Sequence, residues 1–66
     1  MLEESVVKRY MKEEAHLWLD SVTGEYNCTL MAEDAIAYFC VEEGTDDYED
    51  IFDWAVEVEA ELEELG

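Results

Sequence analysis

Twenty aspartates and glutamates, one histidine and two cysteines are the side chains through which this chain could hold a metal or move a proton. His16, Cys28 and Cys40 are the soft ligands, and no two of them stand at the short spacing by which zinc sites pair their ligands. The stretch "DDYEDIFD" (46–53) has the acids of a calcium loop. It lacks that loop's glycine and alternating ligand positions. Two carboxylates can act as general acid and base where a cleft holds them face to face. Twenty acids in 66 residues produce such pairs by accident, and a domain this small has little volume for a substrate pocket. His16 has no serine or cysteine spaced as a nucleophile for it. The expectation is a protein that is not an enzyme, with no metal and no cofactor.

The cysteines do not read as a disulfide. Along one helix, the interval from Cys28 to Cys40 covers about 18 Å. A bridge tolerates a Cα separation of only about 7 Å. Both are expected to be free structural thiols, as suits a reducing compartment. Asn27-Cys28-Thr29 matches a glycosylation acceptor, but "MLEESVVKRYMKEE" lacks the positive-then-apolar order of a secretion signal. The match is taken as chance and the chain is expected in the cytoplasm. The longest apolar run, Ala35 to Val41, is far too short to cross a membrane.

What remains is charge. The net charge is −17, and all three bases (Lys8, Arg9, Lys12) fall within the first twelve residues. From residue 13 onward there are eighteen acids and no base. That field excludes nucleic acid and anionic membrane as direct ligands and favours a basic protein partner. Half of the residues are hydrophobic, with two tryptophans, two phenylalanines and four tyrosines. A disordered acidic tail lacks such aromatics, so the chain is expected to fold. Its length allows one domain, residues 1–66.

The elements follow from periodicity and punctuation. "EEGTDD" (42–47) reads as a helix stop at Gly44 and a helix start at Thr45, whose hydroxyl suits an N-cap. Asp46 and Asp47 then occupy the first turn, where the helix dipole favours anions. Tyr48, Ile51, Ala55, Val58, Leu62 and Leu65 recur at steps of three and four, a helical stripe. The first five are expected in the core.

Residues 2–19 carry a weaker arc of Val6, Val7, Tyr10, Met11, Leu17 and Trp18, into which Glu14 projects. The helix either bends there or covers and pairs that carboxylate. A short hairpin within "HLWLDSVTGEYNCTL" is the alternative for its end.

Residues 29–43 are apolar on two sides. Ala32, Ala35, Ile36 and Phe39 form one stripe, and Leu30, Ala37 and Val41 another. A helix apolar nearly all round is buried on more than one face, so the second stripe is a candidate contact with a second copy. The predicted fold is all-α: three helices at 2–19, 29–43 and 46–65, with a longer turn at 20–28 and a tight one at Gly44.

On the third helix Asp46, Asp50, Asp53, Glu57 and Glu64 fall within a strip roughly 60° wide, opposite the apolar stripe. Ten carboxylates stand on this segment with no base among them. Over about 30 Å of helix that is roughly one charge per 3 Å. A strand of duplex DNA carries one per about 3.4 Å. The segment forgoes every lysine–glutamate pair, and Glu59, Glu61, Glu63 and Glu64 crowd the end where the dipole disfavours anions. In charge density and size alone, this strategy resembles that of small acidic DNA-mimic proteins, among them inhibitors of restriction, repair and CRISPR effectors.

The resemblance implies a module that occludes a basic, nucleic-acid-binding surface of another protein through those five acids. Two further readings stand beside it. One is a homo-oligomeric scaffold, possible as a homodimer, whose acidity serves only solubility or salt adaptation. The other is an acidic chaperone or antitoxin-like binder of one basic protein.

Overall fold

The computed structural model describes residues 2–65, the side chain of Leu65 excepted. Three helices, α1 (Glu4–Glu14), α2 (Cys28–Tyr38) and α3 (Asp46–Leu65), follow one another, with a 3₁₀ turn at Ala15–Trp18 prolonging α1. The fold is the expected all-α, three-helix arrangement, measuring 33 × 18 × 16 Å. At 1.5 Å per residue, α3 by itself runs nearly the whole of the long axis.

α1 is shorter than the predicted 2–19 because Glu14 ends it. The backbone there reaches φ −97° and ψ 0°, and the chain tightens into the 3₁₀ turn. Of the two readings of Glu14, bending is the one realised, and its side chain is half-buried. The chain then reverses as a minimal hairpin. Leu19 and Tyr26 form one antiparallel bridge, framed by the Asp20 N–H on the Glu25 carbonyl and the Asn27 N–H on the Trp18 carbonyl, both at 2.9 Å. Asp20 folds the loop by accepting from the Val22 N–H at 2.8 Å, and Gly24 takes φ +75°. The helical end and the hairpin therefore coexist, one completing the other.

α2 starts and stops on signals other than those anticipated. Asn27 is the N-cap, its Oδ1 accepting from the Leu30 N–H at 3.1 Å. The stop comes at Tyr38, well before Gly44. The Val41 N–H reaches back to the Ile36 carbonyl at 3.0 Å and the Cys40 N–H to Ala37 at 3.4 Å, with Cys40 left-handed at φ +54°. This is the Schellman pattern of helix termination, completed by apolar contact between its flanking residues. Ile36 and Val41 are both half-buried against the core. Packing of both on the core gives a physical reason for the early stop, although a cysteine must adopt a conformation usually left to glycine.

The core comprises Val7, Met11 and Ala15 from the first segment, Met31, Ala32 and Ala35 from α2, and Ile51, Ala55 and Val58 from α3. Ile51, Ala55 and Val58 are fully buried as predicted, while Tyr48 and Leu62 are only half-buried. Leu65, the last member of the predicted stripe, has its side chain outside the described residues. Four of the nine core residues are alanines, which let the helices approach closely. Met31 is the large side chain that α2 buries fully. Phe39 instead caps α2 and is half-buried, edge-on to Tyr10 and Tyr38.

Candidate partner-binding surface

α3 begins where Thr45 caps it. The Thr45 Oγ1 accepts from the Tyr48 N–H at 3.3 Å while donating to the Glu42 carbonyl at 2.7 Å. The start of the helix, and with it the angular position of every acid, is thereby set. Asp46, Asp50, Asp53, Glu57 and Glu64 are all exposed, on the side of α3 away from buried Ile51, Ala55 and Val58.

The bases are not spread over this surface. Lys8 Nζ lies 2.8 Å from Glu4 on its own helix and 3.5 Å from Glu57 on α3. Lys12 Nζ lies 2.8 Å from Glu61. Hydrogen bonding to Glu4, aided by Glu57, raises the Lys8 pKa, and Lys12 lowers that of Glu61. One edge of the acidic surface is therefore tied to α1, and Glu57 of the five-residue strip takes part in that tie. These cross-helix pairs are not legible in α3 alone, which has no base of its own. The available signal was the four-residue spacing of Lys8 and Lys12, which puts both on one face of α1. Glu14 received neither lysine.

The second α2 stripe does not survive as a three-residue face. Leu30 and Ala37 are exposed on the helix, but Val41 lies beyond the Schellman turn and folds back on the core. Leaving the helix at Tyr38 removes Val41 from the register that would align it with the other two.

Among the described residues, no group of three or more His, Cys, Asp or Glu side chains could hold a metal ion. No helix there is long and apolar enough to cross a membrane. Cys28 is half-buried and Cys40 exposed, both free. Burial, then the neighbouring Glu59 carboxylate, raises the Cys28 thiol pKa, which disfavours the nucleophilic thiolate. Tyr10 donates to Asp34, and its pKa is pushed up to about 12, first by burial and then by that carboxylate. What the surface offers is dense, fixed negative charge.

Comparison with known proteins gives no match to any family, to any curated protein or to any solved structure.

Proposed function

We propose that the chain is a protein-binding module whose α3 surface occupies a basic, nucleic-acid-binding groove on another protein and excludes nucleic acid from it. The observation that carries this reading is the exposure of Asp46, Asp50, Asp53, Glu57 and Glu64 along one side of a helix nearly as long as the molecule. With the other five carboxylates of α3 they bring the linear density of the helix to roughly one charge per 3 Å, close to that of a DNA strand. Lys8 and Lys12 touch only one edge of the array, so most of it remains for a partner. Thr45 caps the start of the helix, and Lys8 and Lys12 tie it to α1, so the acids stand in fixed helical register.

The test replaces the five with their amides (D46N, D50N, D53N, E57Q, E64Q). All five are exposed, so the fold should persist, with helix content unchanged by circular dichroism. Wild type and variant are used to recover partners from a lysate, and duplex DNA is then titrated against the bound material. The variant should lose the partners, and the remaining affinity should depend less on salt. Equal recovery by the variant, or a complex that DNA does not displace, overturns the proposal.

A further inference from the structure

Arg9 and Glu13, one turn apart on α1, line a shallow groove of about 190 Å³ with Val6 and Tyr10 of the same helix and Tyr38 and Phe39 at the end of α2. Both charged residues are exposed, and among the described residues neither makes an ion pair, although their spacing would allow one to the other. The apolar part of the groove is unusually open to water: Val6 is 38% and Tyr38 63% exposed. It is also firm. The Tyr38 ring stacks on Tyr10 at 4.2 Å, and Phe39 meets both edge-on. Arginine and tyrosine around an apolar centre are the side chains that dominate protein interfaces.

The charge content of the groove identifies its occupant. One cation and one anion among the lining residues sum to zero in a chain of net charge −17, and although Asp34 sits on the Tyr10 hydroxyl at the margin, two copies oppose like charges less here than across the acidic α3 surface. A two-fold interface must be complementary to itself: a residue off the axis meets a different residue of the other copy, and one on the axis meets its own counterpart. A groove carrying one unpaired charge of each sign beside an apolar centre meets that requirement. We propose that it is a homodimer face. Two α1 helices lie antiparallel, Arg9 of each copy opposite Glu13 of the other, with Val6 and Tyr38 of both closing the centre. The Asp46–Glu64 strip takes no part, so this inference stands independently of the partner-binding reading.

Charge reversal and re-pairing test it, read by sedimentation of the full chain over a concentration series at physiological ionic strength. Wild type should dimerise. Arg9→Glu and Glu13→Arg should each weaken the dimer at least about tenfold, and the double variant should restore it, as coupling between close interface charges requires. Glu13→Arg is the sharp case. It reduces the net negative charge, so relief of general repulsion would tighten association, whereas loss of the proposed pairing loosens it. Glu43→Lys, which makes the same change in charge outside the groove, serves as control and should not weaken the dimer. Circular dichroism confirms that each variant folds. A monomer at every concentration, a Glu13→Arg chain that dimerises as well as wild type, or a double variant as weak as the singles overturns the proposal.

Discussion

The Tyr10 hydroxyl donates to both carboxylate oxygens of Asp34, at 3.2 and 3.3 Å, joining α1 to α2 across 24 positions of sequence. In a chain whose acids mostly face water, this one is put to structural use. It also leaves a phenol whose proton is hard to remove.

The first prediction follows from that phenol. Its pKa is raised from 10.0 to about 12, so the folded chain holds the proton more tightly than the unfolded chain. The resulting stability is complete below pH 10 and is lost as pH rises through 12. Tyr10→Phe should cost about 1 kcal/mol at neutral pH and flatten the fall in stability over that alkaline window. Urea melts of both proteins at several pH values measure it; parallel curves would show that Tyr10 is not responsible.

Cys40 should be improvable. It sits at φ +54° and is exposed, so glycine would relieve the backbone without removing a buried contact. A non-glycine residue pays about 1–2 kcal/mol in this region. Cys40→Gly should therefore raise the urea midpoint with an unchanged slope, by an amount corresponding to about 1 kcal/mol. A lower midpoint would mean that the thiol makes a contribution its exposure does not reveal.

The core should rank its residues by burial rather than by size. Ile51 is fully buried, and Ile51→Ala should cost about 2–5 kcal/mol. Phe39, though larger, is only half-buried. Phe39→Ala should cost less than Ile51→Ala, at about 2 kcal/mol, below the range for a fully buried phenylalanine. Chemical denaturation of the two variants side by side decides the order.

Added salt should stabilise the fold. It weakens the Lys8–Glu57 pair, whose lysine is half-buried, and the exposed Lys12–Glu61 pair, each worth about 0–1 kcal/mol. It also screens repulsion among twenty acids opposed by three bases. The second effect involves many more charges and wins, so the melting temperature should climb from low to high ionic strength. A melting temperature that falls would place the two lysine bridges above the repulsion.

Much of this fold was legible because local chemistry and global packing agreed. Thr45, with Asp46 and Asp47 behind it, announced the start of α3, and the spacing of Ile51, Ala55 and Val58 announced its buried side. The end of α2 was hidden for the opposite reason. Gly44 offered the obvious stop, yet the chain stops where Ile36 and Val41 can pack, with Cys40 accepting the strained position. That choice depends on tertiary contact, which no residue type advertises. Asn27 caps α2, yet in the sequence it reads equally as the head of Asn27-Cys28-Thr29, a glycosylation acceptor. The exposure of the acidic strip was readable from the helical wheel. Its attachment to α1 was not, because pairing across helices depends on how closely α1 and α3 lie.

The confinement of Lys8, Arg9 and Lys12 to α1 has a consequence beyond the bridges they make. With ten carboxylates on α3 and every lysine and arginine on one neighbouring helix, the centres of positive and negative charge are displaced from one another within a body 16–18 Å across its short axes. Such a body has an electric moment as well as a net charge. In the field of a positively charged surface it experiences a torque, which turns α3 inward and α1 outward while the two are still separated by solvent. The molecule is thus rotated toward one orientation before any atom touches, and the bases that look out of place in so acidic a chain are what give that rotation its direction.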